Sequence, residues 1–321
     1  MNKDLQRKII LTLGFALLLY VGLVLWSDVG QLSAALTSFL WGWLPVAIGL
    51  TLLNYAGRLY KWQWYLALIG VKISRWDSAR IFLVGMLMAL TPGKAGEFLK
   101  SYMVRTVNGT PISLTAPIIL AERITDGIAM LLLASVGLFA FPEPAMRWLA
   151  AIIFVGFLLG VAVIQIRPLA LWLLAWGGRL PLIRRFAGEL TTFYESSYIL
   201  FQPRNLLISL AIGVASWFAE ALAYYVILLG FGVTPGWDAL LRALFIFCIS
   251  TVIGAVVATP GGLGGMEGSL VALSTRLLGF AVPTATAAAL IVRFCTLWLG
   301  IGIGVVSFLL WPNLLTGAEE Q

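Results

Sequence analysis

The sequence predicts an all-α polytopic membrane protein with about six full spanning helices, two re-entrant hairpins broken by Pro-Gly clusters, and inverted-topology repeats. Of its 321 residues, 61% are hydrophobic and only 11% are charged, whereas soluble domains carry roughly 25% charged residues. Apolar runs of spanning length follow one another along the chain, and two further apolar stretches share the pattern Thr-Pro-Gly followed by Glu. We therefore interpret residues 1–321 as a single integral membrane domain.

Six apolar runs are near the length of about 20 residues that a helix needs to cross a ~30 Å hydrocarbon core. The first follows basic residues but contains no small-residue cleavage site, so we interpret it as a retained helix rather than a signal peptide. The six runs cover residues 9–26, 37–57, 115–140, 148–166, 205–229 and 284–311.

Two further stretches, residues 79–106 and 240–279, are each interrupted by a Thr-Pro-Gly sequence, at residues 91–93 and 259–261. Irregular backbone at membrane depth is tolerated only where protein or water satisfies its polar groups. We therefore predict two re-entrant hairpins that line a polar interior.

The distribution of Lys and Arg predicts the orientation of the chain, because short cytoplasmic loops are enriched in these residues. The N-terminus and residues 58–80 and 167–204 are basic, whereas the loops at 27–36 and 230–239 contain no Lys or Arg. This pattern predicts that both termini are cytoplasmic and that the two hairpins enter from opposite faces. On this assignment Lys100 stays on the cytoplasmic side, and Arg58 and Lys61 are snorkelling anchors.

The two hairpins belong to segments that resemble each other, which we take as a first repeat at 37–140 and a second at 205–311. Gly109 precedes Arg123 by 14 residues, and Gly279 precedes Arg293 by the same 14. A duplicated unit in opposite orientations is the plan of many secondary transporters.

Ionisable side chains within spanning segments cost several kcal/mol unless they face a wet or paired interior. Arg123 lies three residues before Asp126, so the two can pair on one helix face. Arg293 has no carboxylate nearby in sequence, which leaves Glu267, Glu220 or an anionic headgroup as its candidate partner.

The glycines of the two turns permit close backbone approach, and the helix that follows presents its N-terminal amides to an anion. Glu97 and Glu267 follow the turns at matching places, where they would hold a cationic headgroup, carry a proton, or neutralise the basic groups. The predicted substrate-binding residues are Arg58, Pro92, Gly93, Lys94, Gly96, Glu97, Glu122, Arg123, Asp126, Glu220, Pro260, Gly261, Gly262, Gly264, Glu267 and Arg293.

The composition argues against several classes of function. The chain has no His, and its two cysteines, Cys248 and Cys295, lie in apolar runs, so we predict no metal site, no disulfide and no catalytic residue. It contains no Gly-Lys-Ser/Thr loop, so we expect no nucleotide, no other cofactor and no enzyme activity. Basic residues confined to short loops report orientation, so we expect no nucleic-acid partner.

The motifs at residues 92–97, 122–126 and 260–267, with Arg58 before Trp62, resemble the membrane-embedded flippase-like domain of bacterial lysylphosphatidylglycerol synthase/flippases. The resemblance covers nearly the whole chain and implies a stand-alone member without the synthase domain. It implies a lipid translocase of a bacterial-type inner (plasma) membrane that moves a polar, phosphate-bearing lipid. The implied partners are membrane lipids (an anionic or aminoacyl phospholipid, or a polyprenyl-phosphate-linked lipid) and a membrane synthase or glycosyltransferase.

Two other functions remain open from the sequence. An intramembrane enzyme acting on lipid headgroups would use the carboxylates as acid and base. A membrane scaffold for a lipid or glycan synthesis complex would move no lipid.

Overall fold

The computed structural model describes residues 29–91, 96–140, 148, 151–152, 155–156 and 187–316, and all secondary structure in these residues is helical. The predicted span at 9–26 and most of the one at 148–166 lie outside the described residues. So do most of the basic segment 167–204 and both chain ends.

Twelve α-helices are defined within the described residues, with short 3₁₀ turns between several of them. The residues of a π-helical turn, Phe294–Trp298, join α10 to α11 without a break. The helices are α1 Val29–Ser38, α2 Leu44–Leu68, α3 Arg75–Met86, α4 Leu99–Asn108, α5 Ile112–Gly137, α6 Ala187–Leu200, α7 Pro203–Gly230, α8 Trp237–Val257, α9 Gly265–Leu278, α10 Val282–Arg293, α11 Leu299–Leu310 and α12 Asn313–Thr316.

Four helical segments are long and apolar enough to cross a membrane: Ile112–Ala140, Pro203–Gly230, Trp237–Val257 and Val282–Leu310. A fifth candidate span is formed if α1 and the helix Trp41–Leu68 are counted together across their 67° bend. The prediction of an all-α, multi-pass membrane protein is thus confirmed. The described residues supply four to five candidate spans rather than six, and one of them is α8, which the sequence assigned to a hairpin.

Helices α8 and α9 form an antiparallel hairpin around the second Pro-Gly cluster. At the turn, a Cβ added to Gly262 would lie 3.2 Å from the Gly254 carbonyl oxygen. At the open end, Arg242 Nη1 donates to the Leu277 carbonyl oxygen at 2.9 Å. Gly261 and Gly262 both have positive φ, 63° and 69°, a conformation that glycine adopts without steric cost. The glycines thus let α9 fold back directly against α8.

Helices α3 and α4 fold back on each other in the same way. The alkyl chain of Lys100 packs on Gly85, where an added Cβ would lie 2.8 Å from its Cγ. At the open end, Asn108 Nδ2 donates to the Lys72 carbonyl oxygen at 3.1 Å. The helix after each turn ends at a left-handed glycine, Gly109 with φ 75° and Gly279 with φ 71°. Such a glycine is the usual residue that closes a helix C-terminus.

The structure corrects the predicted boundaries near the start of the chain. Helix α1 occupies most of the segment that was assigned as an external loop at 27–36. Helix α2 continues to Leu68, so Arg58 and Lys61 lie within it rather than at its end. Lys61 is buried, with 1% of its side chain exposed, and pairs with Asp126. The prediction that Lys61 snorkels to the interface is therefore wrong, because a partner within the bundle compensates its charge.

Small residues let the long helices approach closely, as is usual in membrane bundles. Asn54 of α2 donates to the Ser216 carbonyl oxygen of α7 at 2.9 Å. Between α5 and α8, a Cβ added to Gly137 would lie 2.6 Å from both the Leu241 carbonyl oxygen and the Phe245 amide nitrogen. These contacts fix α2, α5, α7 and α8 around the centre of the molecule.

Candidate functional site

A cavity of about 470 Å³ lies at the centre of the helices, walled by parts of both hairpins and by α2, α5, α7 and the π-helical turn. Its wall contains half of the residues that the sequence predicted for the site. These are Arg58, Glu97, Arg123, Asp126, Glu220, Gly261, Gly262 and Arg293.

The tips of the two hairpins meet at this cavity. A Cβ added to Gly261, in the second turn, would lie 3.8 Å from the carbonyl oxygen of Ala89, in the 3₁₀ turn that follows α3 in the first hairpin. Both residues line the cavity. Two segments more than 150 residues apart in sequence thus form one wall.

Arg293 is enclosed by three acceptors from the second hairpin. Its Nε donates to Glu267 Oε1 at 2.7 Å, and its Nη2 donates to the Gly261 carbonyl oxygen at 2.7 Å. Its Nη1 lies 3.1 Å from Met266 Sδ. Only 5% of the Arg293 side chain and none of the Glu267 side chain is exposed. Of the three partners that the sequence left open for Arg293, the structure places Glu267 against it.

Glu267 has a second role at the start of α9. Its Oε2 accepts a hydrogen bond from the Gly264 backbone amide at 2.8 Å. One carboxylate therefore caps the helix with one oxygen and binds Arg293 with the other. Because both oxygens are engaged within the protein, this residue fixes the turn to α10.

The first hairpin and the helix that follows it, α5, supply the corresponding pair. Arg123 Nη2 lies 2.9 Å from Glu97 Oε2 and 3.9 Å from Asp126 Oδ2. Glu97 precedes Arg123 by the same number of residues, 26, that separates Glu267 from Arg293. The two pairs differ in enclosure, because 27% of the Arg123 side chain is exposed. Arg123 therefore faces the open cavity, whereas Arg293 is sealed.

Two lysines neutralise the remaining carboxylates of α5. Lys61 pairs with Asp126 and lies 3.3 Å from the Thr125 hydroxyl. Lys100 binds Glu122 at 2.6 Å and stacks over Trp62, with its Nζ 4.5 Å from the ring centroid. Only 4% of the Lys100 side chain is exposed, because Glu122 and the aromatic ring compensate its burial.

Arg58 and Glu220 face the cavity from α2 and α7. The Arg58 guanidinium stacks over Trp217, 5.7 Å from the ring centroid. Within the part of the chain that the structure describes, Arg58 has no carboxylate within 4 Å, unlike the cavity residues Lys100, Arg123 and Arg293. Glu220 is 5% exposed and lies near the middle of α7.

The other predicted residues lie behind the cavity wall or outside the described residues. Glu122 and Glu267 bind cations from behind, and Gly96, Pro260 and Gly264 shape the turns without lining the cavity. Pro92, Gly93 and Lys94 lie outside the described residues. In the described segments no three His, Cys, Asp or Glu side chains are grouped so that they would hold a metal ion.

Several residues of the site escaped the sequence argument. Lys61 and Lys100 were counted only as loop charges that report orientation. Lys61, however, lies four residues before Tyr65, which is wholly buried in an aromatic-rich helix. Tyr55 lines the cavity and donates to the Thr296 carbonyl oxygen at 2.8 Å. That carbonyl lies in the π-helical turn, a distortion that is frequent at functional sites. No sequence pattern marks such a turn.

A family model described as the lysylphosphatidylglycerol synthase TM region matches residues 11–304. The chain is also similar to two proteins of Methanothermobacter thermautotrophicus that are both named UPF0104 membrane protein. The first is 25% identical over 319 residues, which cover 91% of this chain and 90% of the relative. The second is 24% identical over 271 residues, which cover 77% of this chain and 79% of the relative.

Proposed function

This chain belongs to the family of the lysylphosphatidylglycerol synthase TM region, and from that premise we propose that it is a lipid translocase whose central cavity carries a phosphate-bearing headgroup across the bilayer. The observation that carries the proposal is that Glu97 pairs with Arg123 and Glu267 with Arg293, so that each hairpin is bound to the helix that follows it, and that the two hairpin tips meet at one cavity.

The two hairpins, in this proposal, are re-entrant and belong to inverted repeats at 37–140 and 205–311. Transporters of this plan bind substrate near the midplane, where broken helices from the two halves meet. The halves would rock about the cavity and open it to one face at a time, with both termini in the cytoplasm. The bacterial-type inner membrane is the expected location.

Arg58 and Arg123 are the groups we assign to the substrate phosphate. Arginine binds phosphate through two parallel hydrogen bonds, and charge-assisted bonds of this kind are the strong ones. Arg123 is partly exposed to the cavity, and the Arg58 guanidinium is held by stacking over the Trp217 ring. Arg293 and Glu267 would instead hold the second turn in place. Substrates with this chemistry include anionic or aminoacyl phospholipids and polyprenyl-phosphate-linked lipids, supplied or used by a membrane synthase or glycosyltransferase.

We propose transport without a chemical step. General acid–base catalysis requires a side chain that can exchange a proton with the reacting group. Glu97, Glu122 and Asp126 are each bound to a Lys or Arg side chain, and Glu267 is bound on both of its oxygens. These contacts hold the carboxylates in fixed positions, which suits binding better than proton transfer.

The proposal is tested by headgroup accessibility in proteoliposomes. Purified protein is reconstituted with a chain-labelled fluorescent phosphatidylglycerol or with a polyprenyl phosphate, and the loss of outer-leaflet accessibility is followed against empty vesicles. Wild-type protein should accelerate movement of at least one of these lipids. Arg58→Gln and Arg123→Gln should each slow it about tenfold or more, the effect of losing one charge-assisted bond of about 1.5–3 kcal/mol.

The control is Arg276→Gln, which removes an exposed Arg of α9 that does not line the cavity. This variant should transport at nearly the wild-type rate. Absence of acceleration for both lipids would exclude the proposed transport. Release of a chemically altered lipid would favour the enzyme, and a stable synthase partner with no lipid movement would favour the scaffold.

A further inference from the structure

Helices α5 and α8 touch at one end and separate at the other. They meet at Gly137, where an added Cβ would lie 2.6 Å from backbone atoms of α8 at Leu241 and Phe245. Nearer the Pro-Gly turn, both helices line the central cavity, with Gly127 and Leu131 on α5 facing the stretch of α8 from Thr251 to Val256. The pair therefore forms a V-shaped gap whose closed end is at Gly137.

The wide end of the gap is empty and reaches the outer surface. Among the described residues, no heavy atom lies within 4 Å of a Cβ added to Gly127, apart from the helix's own backbone. Val256 lines the cavity, yet it is 79% exposed. Its neighbour Ala255 and the turn residue Ala258 also line the cavity and are exposed. A wall residue that is this exposed marks the place where the cavity opens sideways.

On the proposed topology, in which α5 begins at the cytoplasmic interface, the opening lies at the depth of the hydrocarbon core. At 1.5 Å per residue, α8 covers about 24 Å from Leu241 to its end at Val257, whereas α5 covers about 37 Å from Gly137 back to its start at Ile112. The end of α8 is therefore about 13 Å short of the end of α5. Since a bilayer core is about 30 Å thick, the gap faces lipid rather than the aqueous end of the bundle.

The gap is apolar and continuous with the charged chamber. Arg123, Gly127 and Leu131 are spaced four residues apart, so they lie along one face of α5. This face changes from charged at Arg123, which is bound to Glu97, to apolar at Leu131. Val252, Ala255 and Val256 continue the apolar lining on α8. The arrangement matches an amphiphile with its head at Arg123 and its tail between the helices.

The volume of the chamber supports the same division. A cavity of about 470 Å³ is in the range of small-molecule sites, roughly 300–1,000 Å³. It has room for a headgroup but not for long hydrocarbon chains as well. A hydrocarbon chain that is too long for the chamber must leave it through an apolar opening in its wall, and the α5–α8 gap is such an opening.

We propose that the gap between α5 and α8 is a lateral portal that holds the hydrocarbon chain of the transported lipid while its headgroup occupies the charged cavity. The inference rests on the proposed function and adds the place where the hydrocarbon chain of the transported lipid is held. Gly127 keeps the portal open, and Gly137 is the contact about which the two helices diverge.

Photolabelling tests the portal without relying on transport. Wild-type protein is reconstituted in phosphatidylcholine vesicles with phosphatidylglycerol that carries a diazirine at the end of one acyl chain, and labelled peptides are mapped after irradiation. Labelling should concentrate in residues 127–131 and 251–258. It should fall at least about fivefold in Gly127→Trp, because the indole fills the empty space that the chain would occupy. Labelling of outer lipid-facing surfaces alone would overturn the proposal.

Transport by the same variant gives the second test. Gly127→Trp should slow lipid movement about tenfold or more, whereas Gly302→Trp should stay within about twofold of wild type, as expected of an exposed site. Gly302 is the matched control because it also lies in a helix, with open space around an added Cβ, but does not line the cavity. A folded Gly127→Trp that transports at the wild-type rate would overturn the portal and leave the translocase intact. Labelling of the portal in a wild-type protein that moves no lipid would support the portal and overturn the translocase.

Discussion

At the scale of single residues, the two equivalent Glu–Arg pairs show how one motif serves two purposes. Arg293 is sealed behind the second turn by Glu267, Gly261 and Met266. Arg123 keeps 27% of its side chain exposed beside Glu97. Removing one partner of a buried ion pair leaves an uncompensated charge, whereas a partly exposed charge is still solvated. In the proposed function, Arg123 can therefore exchange Glu97 for a substrate group, whereas Arg293 stays bound to Glu267.

This difference predicts opposite effects for the two arginines. Arg293→Gln should cost about 3–5 kcal/mol of stability, because Glu267 is left buried without its cation. Arg123→Gln should cost less, because Glu97 lines the cavity, where water can solvate its carboxylate once the cation is gone, but it should slow lipid movement. Thermal unfolding of both variants in detergent, followed by gel filtration, measures the difference. Equal destabilisation by the two substitutions would contradict the division of roles.

Glycine conformation gives a second prediction at this scale. Gly279 ends α9 with φ 71°, and nothing lies within 4 Å of an added Cβ. Gly279→Ala should therefore destabilise the protein by about 1–2 kcal/mol through backbone strain alone, without any clash. Gly268→Ala serves as the control, because Gly268 also has open space around it but lies inside α9 with helical φ. It should be neutral or slightly stabilising, since alanine has the higher helix propensity. Equal unfolding temperatures for the two variants would refute the strain argument.

The residue scale also shows the limit of the sequence. Equal spacings already related Arg123 to Arg293, and Glu267 was among the partners named for Arg293. Lys61 was misassigned, and the pairing of Lys100 was missed, because a positive charge near the end of an apolar run has two explanations, a cytoplasmic anchor or a buried ion pair. Only the position of Asp126 or Glu122 in space decides between them.

At the scale of elements, Pro-Gly breaks identified both places where the chain folds back. Pro and Gly end helices for local steric reasons, so their effect can be read from the sequence alone. Helix α8 is different, because its 21 residues and high hydropathy meet the criteria for a span, although it forms one arm of a hairpin. The hydrogen bond from Arg242 to the Leu277 carbonyl oxygen shows that α8 pairs with α9, and no local sequence pattern predicts this contact. The π-helical turn after Arg293 likewise could not be predicted from the sequence.

The contact between α5 and α8 predicts a further effect. Gly137→Leu should destabilise the protein by about 1–3 kcal/mol, the usual cost of overpacking, because the new side chain meets backbone atoms of α8 that cannot rotate away. Gly302→Leu, on an exposed surface of α11, should leave stability nearly unchanged. Unfolding temperature in detergent is the measurement. A stable Gly137→Leu would show that the two helices are not held at this point.

At the scale of the whole molecule, the charge bias of the loops predicts that the two hairpins enter from opposite faces. Cysteines introduced at Lys72, just before α3, and at Pro235, just before α8, test this arrangement, because both positions are exposed. In a background with Cys248→Ala and Cys295→Ala, an impermeant thiol reagent should label Lys72→Cys only from the cytoplasmic side. It should label Pro235→Cys only from the opposite side. Labelling of both from one side would contradict the inverted repeats.

The most direct test of the translocase is whether the central cavity opens to both faces of the membrane. Thr251 lines the cavity on α8, and Thr251→Cys in the same cysteine-free background places one thiol there. In oriented vesicles of known sidedness, we expect an impermeant thiol reagent to modify this cysteine from either side and, once attached, to block lipid movement. Modification from one side only, or modification that leaves lipid movement unchanged, would contradict transport through this cavity.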